Sequence, residues 1–336
     1  MGIERVPSRV EELGNGLFGY VQGNGSWGWS NSGLVTSQGR SLLVDTLFTG
    51  YLTRDMLDAY RRAAPEAANI DILVNTHANG DHTFGNHLVE GARIVGSKAC
   101  VEEMEERPAA MFQEIMRSWR DNGEAGAFLH EVMGSRFDFS DIQHVPPTET
   151  FSGRTDLTIG DVAVELHELG PAHTRGDIVA YVPSARTVFC GDVLFAKGHP
   201  IIWDGSIENW IAACDKMLSW DVETVVPGHG PIGDKAAVRA LREYLVYVRD
   251  EAAKRYAAGM DFADAAWDIA LTGFDDWLDR ERVVVNVAHV YKVLSNGAVN
   301  PDRPTLNALM GRYRAGTATP HEALPAGGCG HHDHAH

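Results

Sequence analysis

The stretch Val74-Asn75-Thr76-His77-Ala78-Asn79-Gly80-Asp81-His82-Thr83-Phe84-Gly85-Asn86 places four metal-capable side chains, His77, Asn79, Asp81 and His82, within six positions. The apolar, β-branched run Ile70 to Val74 ahead of it predicts a strand, and polar turn residues follow. An extended backbone there would point His77, Asn79 and Asp81 to one side. Gly80 lets the chain bend, and Asp81 or Thr83 can cap a helix that His82 enters.

Downstream, further ligand-type residues stand at turns and strand ends. They are His173 in Gly170-Pro171-Ala172-His173-Thr174-Arg175-Gly176-Asp177, Asp192 in Thr187-Val188-Phe189-Cys190-Gly191-Asp192, and His229 in Val225-Val226-Pro227-Gly228-His229-Gly230-Pro231. Upstream, Ser41-Leu42-Leu43-Val44-Asp45-Thr46 is an apolar run closed by an aspartate. A lone histidine in a Gly/Pro turn is ordinarily a hydrogen-bonded loop residue, and a lone aspartate a turn acid. Five strand ends carrying such residues in order make that explanation awkward.

Taken together, these motifs resemble the His-x-His-x-Asp-His signature and the later ligand turns of the metallo-β-lactamase superfamily, with Asn79 in place of the second histidine. The likeness runs from about residue 15 to residue 232. It implies an α/β fold, an αββα sandwich of two stacked sheets flanked by helices, with metals at the edge where loops of both sheets converge. It further implies that His77, Asn79 and His173 face a first metal, that Asp81, His82 and His229 face a second, and that Asp192 bridges them. Asp45 would support the site from behind.

Composition fits a soluble enzyme: the 336 residues are 44% hydrophobic, enough for a sizeable core. The 46 Asp plus Glu against 29 Lys plus Arg give an acidic balance that repels phosphate backbones, so no nucleic-acid partner is expected. Met1 to Pro7 lacks an apolar signal core and no apolar run reaches bilayer-spanning length, which leads to the expectation of a cytoplasmic protein with no membrane partner. Cys100, Cys190, Cys214 and Cys329 show no paired spacing, as in a reduced compartment. Cys190 could share the side of Asp192, although core packing explains it as well.

Patterning predicts strands at 17–22, 33–36, 41–44, 92–95, 148–151, 157–159, 162–169, 178–181, 187–190 and 224–226, and helices at 52–63, 100–106 and 207–218. A helical insertion at about 104–145 interrupts the sandwich of residues 1–232. Residues 233–316 read as a C-terminal helical region, with Leu241, Leu245, Val248 and Ala252 on one face and a helix over 277–294. It packs on the sandwich or on a second subunit, or narrows the pocket mouth. Residues 317–336 form a Pro/Gly/Ala-rich tail with four of the fifteen histidines in its last six positions, a tract that can scavenge divalent metal.

What the resemblance implies chemically is a hydrolase in which a metal-bound hydroxide, with Asp81 holding or shuttling a proton, attacks an ester, lactone, thioester, amide or activated ether. Zinc is the expected metal, one or two ions, with manganese or iron as alternatives. Asn79 bears on this, because an amide oxygen is a weaker, harder donor than imidazole. The first site can be empty, can hold a labile or harder ion, or can recruit His167, Glu168 or His199. Trp27 and Trp29, among glycines, suggest an apolar flap. With Trp203 and Trp210, which could line the same pocket from the other side, they point to a small hydrophobic or aromatic substrate. His87, Arg175, Asp177 and Lys197 neighbour the ligand motifs and could orient substrate. Two other classes stay open: an iron-dependent redox enzyme on the same fold, and a subunit with a degenerate site working beside an active paralogue. Homo-oligomers are also open.

Overall fold

Runs such as Leu42-Leu43-Val44 and Ile72-Leu73-Val74 are apolar at every position, which suits strands buried on both faces. The computed structural model, which describes residues 4–317, bears this out. Leu42, Val44, Ile72 and Val74 face a core shared with Val164, Leu166, Ile178 and Ala180 of the opposite sheet, while Leu43 and Leu73 face the flanking helices. Strand alternation thus assigns each side chain to one of two cores.

The first sheet comprises β1 (Ser8–Gly14), β2 (Leu17–Gln22), β3 (Ser32–Ser37), β4 (Arg40–Val44), β5 (Ile72–Val74), β6 (Arg93–Ser97) and β7 (Glu149–Phe151), in that order across the sheet. β1 to β4 pair antiparallel, and β4 to β7 pair parallel. The second sheet holds β8 (Arg154–Ile159), β9 (Val162–Glu168), β10 (Ile178–Val182), β11 (Thr187–Phe195) and β12 (Thr224–His229), ordered β12-β11-β10-β9-β8. Only β11 and β12 run parallel in it. Both sheets therefore present the C-terminal ends of parallel strands, where binding residues collect in α/β sheets.

Helices α1 (Gly50–Ala63), α2 (Gly80–Thr83), α3 (Lys98–Glu106), α4 (Ala109–Arg117), α5 (Gly123–Leu129) and α6 (Ile207–Ser219) belong to the first two-thirds of the chain. The last third adds α7 (Lys235–Ala257), α8 (Phe262–Asp268), α9 (Val283–Leu294) and α10 (Arg303–Arg314). Side chains cap several starts: the Thr49 hydroxyl accepts from Leu52 N, that of Ser206 from Asn209 N, and the Asp234 carboxylate from Ala236 N. Leu241, Leu245, Val248 and Ala252 of α7 are buried, and with α9 they join the same core cluster as the outer face of the second sheet. The C-terminal helices therefore pack on the sandwich.

The structure departs from the sequence reading in three elements. β1, with Arg9, Glu11 and Glu12, is an unforeseen edge strand, too polar to signal itself. β11 continues to Phe195, so Asp192 lies inside a strand instead of at its end. The helix expected over 277–294 begins only at the single turn Arg280–Arg282, because residues 269–279 form a loop. The His-rich tract and Cys329 fall outside the described residues.

Candidate metal centre

His77 follows β5 in a bend, since the strand stops at Val74 and the extended run forecast through Asp81 does not form. Asn79 occupies the N-cap position of α2 without a side-chain cap bond, so neither Asp81 nor Thr83 caps that helix. The Thr83 hydroxyl instead donates to Asn79 O, which leaves the Asp81 carboxylate free to meet His229. His173 sits in the 170–177 loop, braced by Asp177, whose carboxylate accepts from Ala172 N, Thr174 N and the Thr174 hydroxyl. His229 closes β12, held by Asn31, whose amide donates to Pro227 O and Gly230 O.

These segments bring four imidazoles around Asp192. Its Oδ1 lies 3.1 Å from His82 Nε2, and its Oδ2 lies 3.4 Å from His173 Nε2, 3.5 Å from His229 Nε2 and 3.7 Å from His77 Nε2. Asp81 Oδ2 is 3.3 Å from His229 Nε2. The room for this is made by glycine: a Cβ on Gly228 would stand 2.0 Å from Asp192 Oδ1. Another on Gly25, at φ +80°, would meet Gly230 N at 2.2 Å.

Every imidazole is anchored through its outer nitrogen. His82 Nδ1 donates to Asp45 Oδ2 (2.9 Å), His173 Nδ1 to Ile201 O (2.6 Å) and His229 Nδ1 to Gly25 O (3.1 Å). The Thr76 hydroxyl donates to Asp45 Oδ2 at 2.7 Å, so its oxygen accepts from His77 Nδ1 at 3.0 Å. Four Nε2 lone pairs are thereby turned toward the two carboxylates, the arrangement that ligating histidines need. His77 Nε2, His82 Nε2 and Asp192 Oδ1 are buried without hydrogen-bond partners. Buried polar atoms are normally satisfied, and a cation held among these would supply what they lack. The donors fall into two overlapping clusters that could each hold an ion, His77–His82–Asp192 and Asp81–His82–His229. An imidazole and carboxylate set suits zinc, and also iron or manganese.

The electrostatics express the same demand for positive charge. Burial alone would raise Asp192, but the charges of His229, His82 and His77 hold it well below the usual carboxylate range. Burial would likewise lower His82, yet Asp192 and Asp45 push it well above the ordinary imidazole value. His229 is raised to about 9 by Asp192 and Asp81 against the opposing effect of burial. His77 goes the other way, lowered by burial and by the neighbouring His82 charge. In metal-stripped protein, His82 and His229 therefore carry protons at pH 7 that an incoming ion must displace. Metal uptake is expected to release protons, and its apparent affinity to climb as pH rises toward about 9, by up to about tenfold per unit for each proton displaced. Calorimetric titration of the metal in buffers of different ionisation enthalpy measures this; heats independent of buffer would contradict it.

Asp45 holds two ligand segments at once, because it also accepts from Thr76 N at 2.7 Å. Its backbone is left-handed, φ 62°, a conformation that asparagine tolerates. Asp45→Asn should lower metal affinity about 10–100-fold, in the range for partners of ligating histidines, with a small change in Tm. A titration against a competing chelator checks the first and calorimetry the second.

Asn79 is the exception in the set. Its Nδ2 lies 2.8 Å from His173 Nε2, and because His173 Nδ1 is engaged with Ile201 O, the amide donates into the lone pair that would face a metal. None of the three residues considered as substitutes for a second histidine comes near. His167 pairs with Glu165, Glu168 accepts from Gly153 N, and His199 is buried against Tyr244 and Trp277. Cys190 belongs to the core.

The centre forms the floor of a cavity of about 600 Å³, lined by Asn79, Asp81, His173, Asp192 and His229 and walled by apolar residues. Trp27 and Trp203 line it, but Trp29 does not: its ring is buried against Phe137, and it borders a different groove. Nor is Trp27 a loose flap, since its indole donates to Glu281 Oε1 at 2.8 Å and carries Arg282 on its face. Trp210 lies beneath the floor, donating to Val193 O. Of the polar neighbours proposed to orient substrate, Asp177 is spent on its loop, Lys197 pairs with Asp276 at the surface, and Arg175 pairs with Glu106. His87 sits behind, against Phe84 O. The sequence reading missed Arg107, Arg282 and Arg303, which line the cavity from just after α3, from the turn before α9 and from the start of α10. They lie far apart in the chain and belong to no motif.

A sequence model described as the metallo-beta-lactamase superfamily matches residues 25–229, more than half of the chain. The chain belongs to the metallo-beta-lactamase superfamily. Its relatives include the type 2 metallo-beta-lactamase of Bacillus sp. (strain 170), 25% identical over 211 residues, covering 61% of this chain and 68% of that protein. A probable metallo-hydrolase of Methanocaldococcus jannaschii is 24% identical over 225 residues, covering 63% and 93%. Among solved structures, the stereoselective inverting sec-alkylsulfatase Pisa1 from Pseudomonas sp. aligns with a TM-score of 0.63 at 14% identity, covering 88% of this chain and 52% of that one. That likeness is one of fold. The superfamily is one of metal-dependent hydrolases, so the chain is an enzyme of that kind. Among the described residues no helix is long and apolar enough to cross a membrane.

Proposed function

We propose that this superfamily member is a zinc-dependent hydrolase that cleaves an ester, lactone, thioester, amide or activated ether in a small hydrophobic substrate. The observation carrying this reading is the set of four anchored imidazoles turned onto Asp192 at the floor of an apolar cavity. His77, His82, His173, His229, Asp81 and Asp192 would hold the metal, with Asn79 at its margin. A divalent ion in such a set lowers the pKa of a water molecule bound to it and polarises a substrate oxygen.

The chain's own groups supply the rest. Asp81 lines the cavity and meets His229, and its carboxylate is held down at about 2 by His229 and His82 despite burial, so it is ionised and would serve a metal as an anionic ligand; a role in holding or shuttling a proton would begin once an ion displaces the protons of those two imidazoles. Asn79 lines the same floor; one Nδ2–H is given to His173 Nε2, and the other would be the donor to an oxygen that gains charge there. The surrounding Phe48, Phe84, Phe195 and Ile201 exclude bulk water. A partner other than nucleic acid accords with the acidic balance of the chain.

The test is turnover of chromogenic esters, lactones, thioesters and nitroaryl ethers, with an alkyl sulfate added in view of the sulfatase fold neighbour. Chelator-stripped protein reloaded with zinc, manganese or iron is compared with Asp81→Asn. Metal-dependent turnover that falls about 10²–10⁴-fold in Asp81→Asn is expected. Oxygen consumption by the iron form without hydrolysis of any class would overturn the reading.

A further inference from the structure

α4 is an amphipathic helix whose apolar side is only partly spent on the core, which Phe112 and Met116 meet while Met111 and Ile115 do not. Met111, Phe112, Ile115 and Met116 share one face at helical spacing, yet only Ala109 of this helix is buried. Met111 is 50% exposed, one of few large apolar side chains so placed among the described residues. All four line the cavity that holds the metal centre, and Leu129 and Met133 of the following segment continue the wall. An apolar face left open over a cavity invites an apolar occupant.

The shape of the chemistry favours a chain over a flat ring system. This wall is aliphatic and thioether, made of side chains that adapt to a flexible partner. The aromatic residues of the cavity are already engaged. Phe48, Phe84 and Phe112 pack on one another with centroids 5.4–6.0 Å apart. Arg282 covers a face of Trp27 at 4.2 Å and Arg303 a face of Trp203 at 4.6 Å. Few aromatic faces remain for stacking.

We infer that the substrate carries an aliphatic chain that lies beneath α4, against Met111, Ile115, Met116, Leu129 and Met133, while its scissile group reaches Asp81 and Asp192. The occupant is the substrate's own chain, because wall and centre belong to one continuous cavity. This rests on the hydrolase reading above and narrows its substrate to alkyl or acyl amphiphiles.

The experiment separates binding from turnover. Straight-chain alcohols from butanol to dodecanol, neutral at any working pH, are titrated into metal-stripped protein, following the heat of binding and the tryptophan fluorescence, to which Trp27 and Trp203 of the cavity wall contribute. Affinity is expected to rise about fourfold per methylene until the cavity is filled and then level off. In Met111→Gln/Ile115→Gln, whose changed side chains are only partly buried and should leave folding intact by circular dichroism, that slope should flatten. Affinity independent of chain length, a slope unchanged in the double variant, or 2-naphthol binding as tightly as decanol would overturn the inference. Zinc-loaded protein assayed on nitrophenyl esters from acetate to decanoate keeps the two readings apart. Turnover without a chain-length trend removes the chain site and leaves the hydrolase, whereas a binding trend with no turnover of any substrate class does the reverse.

Discussion

Asp192→Asn is expected to strip the protein of metal and of hydrolytic activity while leaving the fold in place. The carboxylate stands within 3.1–3.7 Å of all four imidazole Nε2 atoms, and no other group in the centre touches more than one of them. Asparagine has the same size and fits the slot that Gly228 leaves open, so packing survives. What disappears is the negative charge that balances the ion and the raised basicity of His82 and His229. Removing a central ligand should cost at least as much metal affinity as losing a partner of a ligating histidine, roughly 10²-fold or more. Metal content after dialysis, with far- and near-ultraviolet circular dichroism as a check on folding, measures it. Retention of a full metal complement in the variant would show that Asp192 is not central to the site.

Asn79→His is expected to act in the opposite direction, raising the zinc retained toward about two ions per chain and tightening the weaker one. In the present sequence the Asn79 amide donates to His173 Nε2, so one ligand-type lone pair is occupied by a hydrogen bond and the neighbouring donor is a neutral amide. An imidazole at 79 replaces the weaker donor and frees His173. The residue is partly exposed at the cavity floor, where a larger ring can be accommodated. The count is made on the chain and on a version ended before Cys329, so that the terminal histidines do not add to it. Identical stoichiometry and affinity in the two proteins would mean that Asn79 has no bearing on metal binding. A stronger hydrolase is not a necessary result, since a tighter ion can also slow product release.

Much of the sandwich could be read from the chain because burial on both faces writes itself into sequence as unbroken apolar runs, as at Leu42 to Val44 and Ile178 to Val182. β1 could not, since an edge strand rich in Arg and Glu looks like a loop. The ligand-type residues were legible because Gly80, Pro171, Gly191 and Gly228 stand among or close to them, and because their order along the chain follows one family's motifs. Thr76 and Asn31 carry no such signal, and the role of Asp177 as a brace for its loop became visible only through its hydrogen bonds.

By itself the sequence determined the superfamily, the two-sheet architecture and the residues able to meet a cation, because these depend on local pattern and on order along the chain. Tertiary structure alone decided which nitrogen of each histidine faces inward, that Trp29 is core while Trp27 is cavity wall, and that α4 shelters the centre together with arginines from the last helices. Those outcomes turn on contacts between residues tens to hundreds of positions apart, such as His229 with Gly25 or Trp27 with Glu281, and no window of sequence contains both partners.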